Sequence, residues 1–386
     1  MRILMIQPWI RLGGAEMLSL ELASELERRG HVIRIAALFV DPAGLPDLVQ
    51  GRAYLLPPRW LAARFARSRT LSFVVGPFVM LALVALRGGA IDLFNPHNLP
   101  GPVIAALLGP VRRVPVVWNL NEVPVPLPAE QAHTLGLVER SVWILGAALS
   151  RWAAHVPRAI LVLDEKTRRS VRAHYGRDAT VAMPGLRVDT FAREAMNRPE
   201  RDGPVQLLAV GKLHPQKNTA LAIETAALLI ERGRPVELTV IGSGPLRDAL
   251  SALAERLGVS AVVRFRAGLS LGELARAYGQ SDILLVTPTG HQAWGLTPFE
   301  GIAAGVPAVV SDEAGASEIL AARDAALVVR PERSAFADAA ELLIDEPDRA
   351  ASLVRNGQAL LRDELTWSNY AERCERVFRE ALGPRA

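Results

Sequence analysis

Short apolar runs alternate with longer stretches of helical periodicity along this 386-residue chain, and that alternation restricts its fold more than any other feature. In the first half the runs are Ile3–Ile6, Val32–Ala37, Ile91–Phe94, Val114–Trp118 and Ala159–Leu163. In the second half they are Leu207–Val210, Glu237–Ile241, Val262–Phe265, Ile283–Thr287, Ala308–Val310 and Ala326–Val329. Each reads as a buried strand. Ala15–Arg28 repeats apolar Met17, Leu18, Leu22 and Leu26 at helical spacing, with Gly30 as its stop. Further helices are expected from Asn218, Pro245, Leu271 and Pro298, since a proline in the first turn lacks only an N–H that has no partner there. The pattern predicts an α/β fold of parallel sheets with helices on both faces. The length predicts two domains, 1–196 and 197–366, joined by the polar segment Asn197–Pro204. Open sheets of this kind hold ligands at the carboxyl ends of their strands, here facing a shared cleft.

A hydrophobic content of 50% against 22% charged residues fits a folded chain and excludes a disordered one. A single cysteine, Cys374, excludes an internal disulfide and fits a reducing compartment. Met1–Gln7 is too short an apolar run for a signal peptide, so a cytoplasmic protein is expected. The net charge of +4 is unevenly spread: between Gln50 and Asn121 the one acid, Asp92, faces eight arginines. Arg59–Arg69 as a helix would present Trp60, Leu61, Phe65 and arginines. Two readings stay open for it, an interfacial contact with anionic lipid and an ordinary amphipathic surface helix. Leu71–Leu86 is apolar but shorter than the roughly 20 residues a span needs, and it contains Gly76-Pro77, so a buried or membrane-dipping helix is expected. No nucleic-acid-reading module is visible.

The chemistry concentrates in Val210–Asn218. The chain has three lysines, Lys166, Lys212 and Lys217, in a Lys+Arg total of 44, and two of them fall in this strand-to-helix loop. Free N–H groups and the positive dipole end of the following helix favour an anion there, and an ammonium suits a phosphate oxygen as a point charge. Two solvated surface lysines are the plain alternative. Gly13-Gly14 follows the first strand and would let backbone approach an anion, but it is not the G-x-G-x-x-G pattern of nicotinamide cofactors. Gly242-Ser-Gly244 repeats the strand–glycine–helix form. In Thr287–Gly301, Thr297 is expected to cap a helix, Leu296 and Thr297 to offer free N–H groups, and Glu300 either to accept hydrogen bonds from ligand hydroxyls or simply to complement the dipole.

Taken in order, these elements resemble the retaining glycosyltransferases of the GT-B fold, family 4 type. The likeness runs nearly end to end, through Gly13–Glu16, Ile91–His97, Met183–Phe191, Val210–Asn218, Gly242–Pro245, Gln292–Val310, Ala314–Ile319 and Trp367. It implies two Rossmann-like domains, with a final helix crossing back onto the first. It also implies transfer of a hexosyl group from a nucleotide diphosphate sugar to a glycan or glycolipid hydroxyl, with retention, no required metal and no cofactor. By resemblance Lys212 and Lys217 hold the diphosphate, Gly14, Gly242 and the N–H groups of Leu296 and Thr297 assist, Glu300 binds the ribose, and the backbone of Arg266 meets the base. Charge growing on the leaving group would then be neutralised in place. The chain departs from the family at Gln292, where the first of two glutamates eight apart is usual, and at Asn121, where a histidine is common. Asn121 would contact the sugar, Glu122 would orient the acceptor, and His97 either lines the cleft or is a satisfied interior histidine. A donor-binding protein with weakened catalysis, or an epimerase or phosphorylase on the same fold, remain as alternatives.

Overall fold

The computed structural model describes residues 1–383 apart from 12, 42–45, 122, 124–136, 196–202 and 291–293. The chain divides into two compact units, Met1–Gly185 with Trp367–Ala386, and Leu186–Thr366.

In the first unit the expected runs form β1 (Arg2–Ile6), β2 (Val32–Ala36), β3 (Leu93–Pro96), β4 (Val117–Leu120) and β5 (Ala159–Val162). β3 starts later than the apolar run because Asp92 turns outward to accept from the Arg2 backbone N–H and pair with its guanidinium at 2.6 Å. All pairings are parallel. Tyr54–Leu55, β2, β1 and β3 lie side by side, and a bridge from Phe94 to Val116 leads on to β4, β5 and Thr180–Val181. Both faces are covered, which is why the strands are apolar throughout. Ile3 and Met5 pack with Leu22 and Leu26 of the Gly14–Arg28 helix, while Leu4 and Ile6 pack with Phe65, Met80 and Ile104.

The closing helix, Trp367–Leu382, belongs to this first unit, as expected. Its buried residues Tyr370, Cys374, Val377, Phe378 and Ala381 fall on one helical face and join the Ile3–Met5 side of the core. Burial pushes the Cys374 thiol up to about 12, which leaves it unreactive.

The second unit contains β6 (Val205–Val210), β7 (Val236–Ile241), β8 (Val263–Arg266), β9 (Ile283–Val286), β10 (Ala308–Ser311) and β11 (Leu327–Val329). Its sheet is parallel and ordered β8-β7-β6-β9-β10-β11. The order reverses between β6 and β9, which opens a crevice at their carboxyl ends. The first sheet has the same reversal between β1 and β3.

Three expectations need correction. The unit boundary falls at Leu186, ahead of 196/197, because the Asp189–Ala195 helix packs into the second unit, Phe191 meeting Tyr278 edge-on at 5.4 Å. The first part of the expected linker, through 202, lies outside the described residues. The Leu71–Leu86 run is two helices, Arg69–Val74 and Gly76–Arg87, broken ahead of Pro77. Among the described residues no helix is long and apolar enough to cross a membrane. Finally, Thr297 does not cap its helix. Leu296 holds the cap position, with no side-chain cap hydrogen bond.

Candidate active site

Two glycine turns interlock at the carboxyl edge of the second sheet. Gly211 N–H donates to the Ile241 carbonyl at 3.0 Å, Leu213 N–H to Ser243 at 2.9 Å, and Gly242 N–H to Arg266 at 2.8 Å. A Cβ on Gly242 would collide with the Gly211 carbonyl oxygen, and one on Gly244 with that of Leu213, so only glycine permits this approach. Arg266 therefore acts here through its backbone carbonyl, with its side chain exposed.

The lysine loop lies on this platform. Pro215–Lys217 forms one 3₁₀ turn, Asn218 takes a left-handed conformation, and the Thr219–Glu231 helix follows. Lys217 is half-buried, and its Cδ lies 3.6 Å from where a Cβ on Gly211 would stand. Its carbonyl accepts from the Thr287 hydroxyl at 3.0 Å, which ties the loop after β6 to the loop after β9. Gly211, Lys217, Thr287, Trp294, Gly295 and Thr297 line one crevice at the point where the strand order reverses. Lys212 is exposed. Gln292 and Glu122 lie outside the described residues.

Glu300 stands in the first turn of the Thr297–Ala303 helix, where Pro298 has no N–H and the Phe299 and Glu300 N–H groups donate to the Leu296 carbonyl at 3.0 and 3.1 Å. Only Leu296 and Thr297 thus start the helix without an intrahelical acceptor. The Glu300 Oε2 accepts from the hydroxyl of the fully buried Tyr278 at 2.7 Å. Burial raises the Glu300 carboxyl above its usual range, and the Tyr278 bond opposes that rise. One oxygen is thus held by protein. Tyr278 was not singled out from sequence, since a tyrosine in an amphipathic helix looks like any core aromatic.

In the first unit, His97 and Asn121 follow the ends of β3 and β4. Asn95 Nδ2 donates to the Val117 carbonyl at 2.8 Å and to Asn119 Oδ1 at 2.9 Å. Its Oδ1 therefore faces His97 Nε2 at 3.1 Å, so Nε2 carries the proton and Nδ1 the lone pair. Asn119 Nδ2 continues the chain to the Tyr370 hydroxyl at 3.3 Å. Burial pulls His97 down to about 3, so the ring is neutral at ordinary pH. Nε2 is thus satisfied inside the unit, while Nδ1 keeps its lone pair, and both roles stay open for this histidine. Gly14 opens the Gly14–Arg28 helix, but the buried carboxylate of Glu16 already lies against Gly13 in that first turn, offsetting the helix's positive end.

Residues 12–190 match the model described as Glycosyltransferase Family 4, and residues 192–360 match Glycosyl transferases group 1. A D-inositol 3-phosphate glycosyltransferase of Corynebacterium aurimucosum is 30% identical, over 82% of this chain and 82% of its own. The chain belongs to glycosyltransferase family 4. A phosphatidyl-myo-inositol mannosyltransferase of Mycobacterium tuberculosis is 25% identical over 99% of this glycosyltransferase and 98% of its own chain. Among solved structures, Anabaena HepE in complex with UDP and glucose superposes with a TM-score of 0.74 at 16% identity, covering 98% of this chain and 99% of that one. The glycosyltransferase thus has the GT-B fold, and it is a transferase.

Proposed function

We propose that this glycosyltransferase moves a hexosyl group from a nucleoside diphosphate sugar to a hydroxyl of a lipid-linked or polysaccharide acceptor, with retention and without a required metal. The observation that carries the reading is Lys217, laid over Gly211 in a crevice that also receives the N-terminus of the Thr297–Ala303 helix. Breaking the bond between sugar and diphosphate leaves growing negative charge on the phosphate oxygens. A half-buried ammonium and aligned N–H groups stabilise that charge more in the transition state than in the ground state. Lys212, at the exposed edge, adds a second cation. The second oxygen of Glu300 is assigned to the ribose hydroxyls. HepE was solved with UDP and glucose, which supports a nucleotide sugar as donor.

A lipid-linked acceptor is supported by the first unit's surface. The Arg59–Arg67, Gly76–Arg87 and Leu137–Ala153 helices leave Trp60, Phe78, Leu86, Ile144 and Leu145 exposed, with Arg64 over the Trp60 ring at 5.9 Å and Arg59 and Arg67 exposed on the same helix. Apolar side chains among arginines suit an anionic bilayer surface.

The test is calorimetric titration of UDP and GDP into the parent protein and its Lys217→Met and Lys212→Met variants. Lys217→Met should weaken the preferred nucleotide about tenfold or more, equivalent to roughly 1.4 kcal/mol, with a smaller loss for Lys212→Met. Unchanged affinity in the double variant would refute the assignment. Proton NMR of the product's anomeric signal reads the stereochemistry.

A further inference from the structure

The two sheets reverse strand order in the same way, and reversals of this kind are where open α/β sheets hold ligands. In the second unit the crevice there holds a lysine. In the first unit the reversal lies between the ends of β1 and β3, where the next residues are Gln7 and His97. The ladder carries them side by side: Met5 pairs with Asn95, and His97 N–H donates to the Ile6 carbonyl at 3.1 Å. By alternation both side chains project on the same face as Met5 and Asn95, which is where His97 meets Asn95.

Gln7 is the anomaly here. It is 0% exposed, yet neither its Nε2 nor its Oε1 has a hydrogen-bond partner. Buried amides are almost always bonded, and one left bare calls for an explanation. Its neighbour His97 spends Nε2 on Asn95 and keeps a lone pair on Nδ1. Asn121, two positions beyond Asn119 on β4, also has a buried Nδ2 with no acceptor among the described residues. The group is uncharged throughout: two amides and a neutral ring. An anion here would lose its hydration without gaining a cation, and the adjacent helix end already faces Glu16. Hydroxyl groups, each both donor and acceptor, fit such a set.

We propose that Gln7, with His97 beside it, forms the floor of a subsite for the hydroxyls of a six-membered polyol ring, and that Gln7 determines specificity there. The inference deepens the glycosyl-transfer reading and rests on it. The ring belongs either to the acceptor or to the sugar being transferred, and both present the same hydroxyl chemistry.

Gln7→Met keeps the side chain's length and removes both polar ends, and with no native bond lost its apo melting temperature should equal or exceed the parent's. Binding is measured by calorimetry and thermal shift on the full chain, with myo-inositol, UDP-glucose and GDP-mannose as probes and with UDP and GDP alone as references. The variant should bind one polyol source about tenfold or more weaker, while the matching nucleotide alone binds as before. A loss confined to myo-inositol assigns the ring to the acceptor. A loss confined to the nucleotide sugar, relative to its nucleotide, assigns it to the donor. The proposal is overturned if the variant binds both sources like the parent, or if the parent gains nothing from either. Failure of UDP and GDP to bind the parent would instead count against the Lys217 site, so the two readings fail separately.

Discussion

Replacing Tyr278 with phenylalanine removes one oxygen atom from the interior of the second unit and leaves its packing intact. The ring keeps its edge-on contact with Phe191 at 5.4 Å, while the 2.7 Å bond to Glu300 disappears. A hydrogen bond to a charged group contributes about 1.5–3 kcal/mol, and breaking it leaves a partly buried carboxylate short of a donor. For a unit of this size each kcal/mol moves the melting temperature by about 2–4 °C, so the expected drop is about 3–12 °C. The drop should depend on pH. Glu300's folded pKa is raised by burial, so its contribution to stability is fully present below the unfolded value and lost as pH rises through the folded one. The Tyr278 bond limits that loss, and without it the carboxyl's pKa climbs further. The gap between variant and parent should therefore be small near about pH 4, where Glu300 is protonated, and wide near about pH 8. Scanning calorimetry at the two pH values measures it. A gap of equal size at both, or none at either, would show that Tyr278 does not hold the ionised carboxylate.

Gly242→Ala should cost about 1–3 kcal/mol in a urea melt, since its Cβ meets the Gly211 carbonyl and its φ of 153° suits glycine; a melt matching the parent's would mean the two turns are not locked. For the exposed face, the parent should sediment with vesicles rich in phosphatidylglycerol and not with pure phosphatidylcholine. Trp60→Ala with Phe78→Ala should release it, as these two side chains are 64% and 72% exposed. Retention of the double variant on the vesicles, or no binding by the parent, would remove the lipid-surface reading.

The strands were legible because buried parallel strands are apolar on both faces, and an unbroken apolar run such as Leu207–Val210 admits few other readings. The lysine loop was legible because two of three lysines in an arginine-rich chain share one strand-to-helix turn. Other features depend on partners distant in sequence. The locking of Gly211 against Gly242 is a contact between two loops, and each alone looks like a common glycine turn. Tyr278 and Glu300 lie 22 residues apart on different helices, with no spacing rule to join them. The break at Val75 hid inside a continuous apolar run, where Pro77 fits a helix start as well as a kink. Gln7 drew no notice from sequence, because a glutamine after a strand is ordinary until its surroundings show both ends of its amide bare.

The return of Trp367–Leu382 to the unit where the chain begins orders events on the ribosome. Leu186–Thr366 is complete, and free to fold, as soon as it clears the exit tunnel. The first 185 residues must wait until the last stretch is synthesised, because Tyr370, Val377 and Phe378 form one wall around Ile3 and Met5. The half made first is thus the half finished last, and a nascent chain halted before Trp367 would expose the apolar side of its opening strands to chaperones.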